Sequence, residues 1–240
     1  MSLGPYRGER DDLPAENRIP LLGVTPADSN RTAARTRLPP EARRDQILDA
    51  AARTALRDGL TAVRLERLAK DVGVSKALAY SYFSSRDELL AALLRREQQD
   101  LRERGMRVAL RARSFSAMLR QTTRLYLEQS RDRGALIEAL LADPSVDRLM
   151  AADNRIERDR TVRFLVRAVR RRYGLSLETA IAAVRLLMPV TGEAGKAVSE
   201  GAMSVDDAED ICVRMIKGAL AQLSPAKGAK QPKPASDGRP

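Results

Sequence analysis

Apolar residues recur every three or four positions through most of the chain, and this spacing is typical of helices with one buried face. Alternation of β-branched and polar residues, which would indicate strands, is missing, while Ala, Leu, Arg and Glu dominate. The helical pattern extends over residues 41–223, which is enough sequence to bury a sizeable core. We therefore expect an all-α fold.

Glycine, proline and capping residues divide this pattern into helices. The sharpest boundary is the capping box that begins at Ser85, in which the Ser85 hydroxyl bonds the amide of Glu88 and the Glu88 carboxylate returns to the cap. Pro189 lacks an amide proton, so we expect a kink or a break in its helix. The predicted helices cover about 40–58, 65–72, 75–82, a long segment from 85, 114–131, 135–142, 143–173, 176–200 and 204–223.

The two ends of the chain differ from this helical middle. Residues 1–38 mix Gly, Pro and charged residues without periodicity, and residues 224–240 are rich in Pro, Lys and Gly. Neither segment can bury enough apolar surface to offset the entropy of ordering, so we expect a disordered basic arm and a disordered tail. No apolar run approaches the ~18 residues of a membrane span and no signal peptide is evident, which predicts a cytoplasmic protein without a membrane partner.

The composition favours some classes of function and disfavours others. The chain carries 43 Lys and Arg against 32 Asp and Glu, a formal charge of +11, and most of the basic residues are Arg. This balance favours an acidic partner such as nucleic acid, although Arg on solvated faces explains many of these positions. Histidine is absent and Cys212 is the single cysteine. The commonest general base and metal ligand are therefore missing, and we expect neither an enzyme nor a cofactor or metal.

The most informative stretch is Leu65–Phe83, in which two short helices must cross at a tight turn. Ala69 allows close approach, Gly73 makes the turn, and Val74 and Ala79 face inward. The remaining positions of the second of these helices then lie on or beside its outer face, where they can reach base edges and phosphates. These candidate DNA-binding residues are Ser75, Lys76, Leu78, Tyr80, Ser81 and Tyr82. Residues 39–85 are accordingly predicted to form a three-helix, helix-turn-helix domain that binds double-stranded DNA.

This segment resembles the TetR family of transcriptional regulators over roughly residues 43–94. The family has Ile-Leu-x-Ala-Ala, Gly-Val-Ser and Tyr-x-Tyr-Phe-x-Ser-Lys-x-x-Leu. The matching residues here are Ile47-Leu48-Asp49-Ala50-Ala51, Gly73-Val74-Ser75 and Tyr80-Ser81-Tyr82-Phe83, with Arg86 and Leu89 ending the last motif. The resemblance implies a recognition helix at 75–82, phosphate contacts by Tyr80, Tyr82 and Arg86, and a phosphate or base contact by Lys76.

Three further features bear on DNA binding. Many family members have Gly-Thr-Leu where this chain has Ala77-Leu78-Ala79, so Leu78 either packs on thymine methyl groups or serves ordinary packing. Thr61 and Arg64 precede the second helix, where they either meet a phosphate or cap and solvate the helix start. Arginines before and in the first helix are candidates for a minor-groove arm. These are Arg31, Arg35, Arg37, Arg43 and Arg44.

Residues 86–223 are predicted to form a helical ligand-binding and dimerisation domain. One helix-turn-helix reads few base pairs, so a homodimer on half-sites ~34–36 Å apart is expected. Its interface residues are predicted to be Val184, Leu187, Met188, Ile211 and Met215, with Gly192 and Gly195 permitting close approach, although the same residues could fill the subunit's own core.

The resemblance also implies a pocket for a small, largely apolar effector that releases a repressor from a palindromic operator. Its candidate lining residues are Phe115, Met118, Leu119, Thr122, Tyr126, Phe164 and Leu165, which a plain packed core explains slightly better. Two alternatives stay open. One is a constitutive architectural DNA-binding protein without an effector. The other is a helical-bundle enzyme that uses Asp206, Asp207, Glu209 and Asp210, carboxylates that helix capping already explains.

Overall fold

The computed structural model describes residues 39–225, and within them the chain forms α-helices, one short 3₁₀ turn and no strand. The all-α prediction is confirmed. The predicted arm at 1–38 and the tail from residue 226 lie outside the described residues. The helices are α1 (Pro40–Asp58), α2 (Leu65–Asp71), α3 (Lys76–Tyr82), α4 (Arg86–Arg111), α5 (Phe115–Ala142), α6 (Pro144–Tyr173), α7 (Leu177–Ser199) and α8 (Val205–Leu223), with the 3₁₀ turn at Leu60–Ala62.

Most of these helices begin at a side-chain cap, as the sequence predicts. A serine hydroxyl accepts an amide hydrogen bond at the start of five helices, at Ser75, Ser85, Ser114, Ser176 and Ser204. Asp143 caps α6 by accepting from the amides of Ser145 and Val146. One detail of the capping box at Ser85 is different. The Glu88 carboxylate accepts from the amide of Ser84, at 2.7 Å, and from the Ser84 hydroxyl, rather than from the cap residue itself.

Two predicted interruptions are absent. The segments predicted at 114–131 and 135–142 form one helix, α5, which runs through Gly134. A Cβ atom on Gly134 would lie 2.7 Å from Cβ of Ser199, so this glycine permits α7 to pack closely and does not end a helix. Likewise α7 continues through Pro189 without a break. Ser224, predicted to start the disordered tail, follows α8 and donates a hydrogen bond to the Tyr173 carbonyl at 2.8 Å.

The apolar core falls into three clusters. The first joins α1, α2, α3 and the first half of α4 to the end of α5 and the start of α6, where Leu136, Leu140, Val146 and Met150 are buried. The second lies among α5, α6, α7 and α8, and a smaller third one surrounds Leu127. The first cluster therefore extends across the domain boundary predicted at residues 85 and 86.

Helices α4 and α6 run parallel to each other along one side of the bundle. Three ion pairs follow in the same order along both helices, namely Arg86 with Asp143, Arg95 with Asp153, and Arg102 with Glu157. The start of α6 thus lies beside the start of α4, which directly follows α3.

Along residues 39–225, no single helix has both the length and the apolar character to cross a membrane. By those two criteria alone, α6 and α7 qualify as a pair, which is bent by 118°.

Candidate nucleic-acid interface

The turn between α2 and α3 has the geometry that the sequence predicts for a helix-turn-helix. Gly73 adopts a φ of 70°, and its amide bonds the carbonyl of Lys70. The amide of Val74 bonds the carbonyl of Ala69 at 2.9 Å. These two bonds end α2 in a Schellman motif, which needs a left-handed residue and therefore favours glycine. The chain then reverses within a few residues, and Ser75 caps α3.

The inner faces of α2 and α3 hold this unit together. Leu68, Ala69 and Ala79 are buried where the two helices meet, and Phe83 is buried at the exit from α3. Val74 is half-buried and packs against the same core. Small side chains at Ala69 and Ala79 permit the close crossing. The outer face of α3 is fixed by this packing.

Most of the predicted DNA-binding residues lie on that outer surface. The exposed ones are Thr61, Arg64, Ser75, Lys76, Leu78, Tyr80 and Ser81. Leu78 and Tyr80 are exposed although both are large and partly apolar. Arg64 precedes α2 and is exposed to solvent, and its side chain makes no capping hydrogen bond. Tyr82 differs from the group because it is half-buried against the first core cluster.

Arg86 is held by other parts of the chain. Its guanidinium donates to the carbonyl of Leu60 at 2.9 Å, and it lies 3.5 Å from carboxylate oxygens of both Asp87 and Asp143. Arg86 therefore connects the turn before α2, the start of α4 and the start of α6. A phosphate at Arg86 would have to share the guanidinium with these partners.

A cluster of three side chains occupies the outer face where α2 and α3 cross. The Tyr80 hydroxyl donates to Oε1 of Glu66 at 2.7 Å, and the Lys76 ammonium lies 3.1 Å from the same oxygen. The ammonium also lies 5.6 Å from the centre of the Tyr80 ring. The hydrogen bond from Tyr80, supported by the backbone amide of Glu66 and by Lys76, lowers the pKa of Glu66 to about 2. The same hydrogen bond raises the pKa of Tyr80.

Glu66 was not among the residues predicted from the sequence. Lys76 and Tyr80 lie four positions apart on one helix, which a periodicity argument can find. Glu66 reaches them from α2, and that contact depends on the angle at which the two helices cross. No sequence spacing indicates it.

Of the predicted arm, only Arg43 and Arg44 lie among the described residues, and both are on α1. Arg43 donates to the Gln46 side chain at 2.7 Å, and Arg44 stacks 5.0 Å from the centre of the Phe83 ring. Arg44 also lines an open groove of about 500 Å³ between α1 and α4, whose walls are mostly charged.

The predicted effector-binding residues are distributed over α5 and α6. Phe115, Leu119 and Leu165 pack against the second core cluster. The ring centres of Phe115 and Tyr173 lie 5.4 Å apart in an edge-to-face arrangement. Tyr126 packs in the third cluster instead. The other three predicted residues are Met118, which is buried, Thr122, whose hydroxyl donates to the Met118 carbonyl, and Phe164, which is half-buried.

The predicted dimerisation residues divide into two groups. Ile211 and Met215 are exposed on α8, but Val184 is only 5% exposed and fills the subunit's own core. Leu187 and Met188 are half-buried against that core. The prediction for Val184 was therefore wrong, because the buried face of α7 points to α5 and α6. Gly195 is also internal, since a Cβ atom there would lie 2.6 Å from the Tyr126 ring.

The carboxylates of the enzyme alternative all have partners. Glu209 is buried and pairs with Arg120 and Arg124 at 2.8 and 2.9 Å, and Asp206 also pairs with Arg124. These contacts raise the pKa of Arg124. Asp207 belongs to the Ser204 cap and Asp210 pairs with Arg214. Glu209 and Asp206 thus fasten α8 to α5, Asp207 stabilises the start of α8, and Asp210 forms an ion pair within α8.

Comparison with known proteins finds sequence similarity in the segment that contains the helix-turn-helix. Residues 47–93 match the family model described as bacterial regulatory proteins, tetR family. The chain is 41% identical over 86 residues to the HTH-type transcriptional activator FasR of Mycolicibacterium smegmatis, covering 36% of this chain and 38% of FasR. It is 34% identical over 62 residues to the HTH-type transcriptional repressor SCO4008 of Streptomyces coelicolor, covering 26% and 32%.

The whole described chain has a similar fold in solved structures. A TetR-like transcriptional regulator from Rhodococcus sp. RHA1 superimposes with a TM-score of 0.62 at 22% identity, covering 77% of this chain and 99% of the other. At that identity the likeness concerns the fold alone. The chain spans about a third of the length of the curated relatives that it matches, and the family model matches the helix-turn-helix segment.

Proposed function

Residues 47–93 match the model of the TetR family of bacterial regulatory proteins, and from this match we propose that the chain is a transcriptional regulator of that family that binds duplex DNA as a homodimer. Its relatives with matching sequence are transcriptional regulators and not enzymes. In this proposal each subunit inserts α3 into the major groove and contacts the phosphates on either side. Since its partner is DNA, the protein acts in the cytoplasm.

The observation that carries the proposal is the outer face of α3. Lys76, Leu78, Tyr80 and Ser81 are exposed together on a helix whose opposite side is buried. A helix presented in this way supplies a cation, hydroxyl groups and an apolar contact to the groove, which are the groups that bind phosphates and base edges. The net charge of +11 favours the encounter with DNA.

The test is a salt titration of binding to duplex DNA. We expect the purified protein to bind a labelled duplex at low ionic strength, with an affinity that falls as salt is raised. On an operator duplex, Lys76→Ala should lower the slope of log K against log salt by about 0.9, the value for one lost phosphate contact. Lys196→Ala is the matched control, because Lys196 is an exposed lysine on α7. An unchanged slope for Lys76→Ala would remove the phosphate contact from the proposal, and failure of the wild-type protein to bind would remove the proposal itself.

The finer proposal is a repressor that leaves a palindromic operator when a largely apolar effector binds the second domain. The apolar packing of Phe115, Leu119 and Leu165 supports an apolar ligand. The effector would have to bind one spacing of the two recognition helices more tightly than another, since equal binding shifts no population. A genomic binding experiment under several growth conditions tests this. A palindromic site that overlaps a promoter and is vacated in some conditions supports the proposal, and a gene that loses expression with the regulator would make it an activator, as FasR is named.

A second candidate function is constitutive DNA binding without an effector. It is favoured by the dense packing of several predicted pocket residues, of which Met118 is buried and Phe115 contacts Tyr173. In the same genomic experiment this candidate predicts sites that stay occupied in every condition.

A further inference from the structure

Glu66 is the acidic residue of the surface that we propose meets DNA. It lies in the first turn of α2, and its side chain is 49% exposed on the same side as Lys76 and Tyr80. DNA presents a dense row of phosphates to any protein that docks in its groove. A carboxylate at this place therefore opposes the binding of DNA.

The carboxylate occupies the groups that a phosphate would use. The Lys76 ammonium lies 3.1 Å from Oε1 of Glu66, which offsets the positive charge of the lysine. Tyr80 has one hydroxyl proton, and that proton is donated to the same oxygen at 2.7 Å. While these contacts last, Tyr80 can accept a hydrogen bond but has none to donate. Tyr80 can donate to a phosphate only after it leaves Glu66, and Lys76 would have to share its ammonium protons between the carboxylate and the phosphate.

Glu66 stays charged wherever DNA binding could be measured. Its pKa is lowered to about 2, first by the hydrogen bond from Tyr80 and then by its own backbone amide and Lys76. The stability of these contacts is thus present above the ordinary pKa of a glutamate and is lost only as the pH falls towards 2. Protonation does not release Lys76 or Tyr80 near neutral pH.

We propose that Glu66 competes with DNA phosphate for Lys76 and Tyr80 and so suppresses sequence-independent binding. The inference rests on the proposed function. A duplex that offers only phosphates must displace the carboxylate and accept its repulsion. An operator compensates through base contacts along the rest of α3. Glu66 therefore weakens the non-specific affinity.

The experiment compares Glu66→Gln with wild type on a random-sequence duplex. Removal of the charge frees Lys76 for a phosphate, so the salt slope should become steeper by about 0.9. The affinity for the random duplex at moderate salt should rise about 1.4- to fivefold, the range of an exposed charge pair. If Glu66 served only to pack α2 against α3, its loss would lower the Tm and weaken binding, so the change in affinity would have the opposite sign.

Four variants serve as controls. Glu66→Ser removes the charge without an amide and should agree with Glu66→Gln, so that the test does not depend on one variant folding well. Glu66→Asp keeps the charge and should keep the wild-type slope. Glu178→Gln makes the same charge change in the first turn of α7 and should leave the slope unchanged. In a Lys76→Ala background, Glu66→Gln should no longer steepen the slope.

The outcomes distinguish a failure of the proposed function from a failure of the inference on Glu66 alone. Wild-type protein that ignores duplex DNA overturns the proposed function and this inference with it. Wild-type protein that binds, together with Glu66→Gln of equal or lower affinity and equal slope, overturns the inference alone. A full gain in slope that persists without Lys76, or an equal gain with Glu66→Asp, also overturns it.

Discussion

At the scale of single residues, glycines inside helices reveal where the bundle is packed most tightly. Gly195 is buried in α7, and a Cβ atom there would lie 2.6 Å from the Tyr126 ring and 2.7 Å from the Ser130 hydroxyl. Gly105 in α4 has a different environment, since a Cβ atom would meet only Leu125, at 4.0 Å. The same residue type therefore serves close packing at one position and costs helix stability at the other.

Gly195→Ala should destabilise the fold by about 1–3 kcal/mol, the range for overpacking a core, because α5 and α7 would have to separate. Gly105→Ala should stabilise it by up to about 1 kcal/mol through helix propensity. Urea unfolding followed by circular dichroism measures both free energies of unfolding. A Gly195→Ala protein as stable as wild type would show that the contact between α5 and α7 is looser than described.

At the scale of helices, the start of α6 is fastened to the DNA-binding unit. Asp143 caps α6, and its carboxylate also lies 3.5 Å from the guanidinium of Arg86, which in turn bonds the Leu60 carbonyl. The first core cluster passes through the same region, with Val146 and Met150 buried against α4. A movement of α6 would therefore reach the turn before α2 through direct contacts.

Asp143→Ala should lower the free energy of unfolding by about 1 kcal/mol, because two amides of α6 lose their acceptor. Asp143→Asn is the matched variant, since asparagine caps equally well but carries no charge for Arg86. It should retain most of the stability, and its remaining deficit measures the ion pair, about 0.2–1 kcal/mol for a partly exposed contact. Equal losses in the two variants would mean that the ion pair, and not the cap, stabilises this junction.

At the scale of the whole molecule, an apolar surface remains on the outside of α7 and α8. Leu186 is 76% exposed, and Ile211 and Met215 are exposed as well. The thiol of Cys212 lies 3.8 Å from the Val190 carbonyl, and the two helices follow each other through a short connection. Leu186, one turn before Val190, is therefore at about the same level of the α7–α8 pair as Met215. Two copies of this surface are suited to form the dimer that we propose.

Leu186→Glu should convert the dimer into a monomer of 26.5 kDa, because the new charge would be buried without a partner at the interface. Ile156→Glu is the control, since Ile156 is a large apolar residue of α6 that is also half exposed. Light scattering coupled to size-exclusion chromatography measures the mass. A wild-type protein that is monomeric at all concentrations, or a Leu186→Glu protein that stays dimeric, would contradict the proposed interface.

Leu186 also illustrates a limit of periodicity. The predicted interface contained Val184, which the structure buries, and omitted Leu186, which it exposes. Both residues are apolar and two positions apart, so the pattern shows that α7 is apolar on more than one side. Which side meets the subunit's own core depends on how α5 and α6 are positioned around α7.

The sequence by itself determined the helical class, most helix starts and the helix-turn-helix. Caps and the turn at Gly73 act through bonds between residues less than six positions apart, and the family motifs at Gly73-Val74-Ser75 and after Tyr80 depend on the same local geometry. The exposure of Lys76 and Tyr80 also follows from the period of one helix.

Only the tertiary structure decided the contacts between helices. In it α5 is one helix through Gly134, and Val184 is buried. Arg86 contacts Leu60 and Asp143, and Glu66 contacts Lys76 and Tyr80. Each of these depends on the angle and rotation at which one helix packs on another. Those quantities result from the fit of many side chains at once, and no spacing within a single segment encodes them.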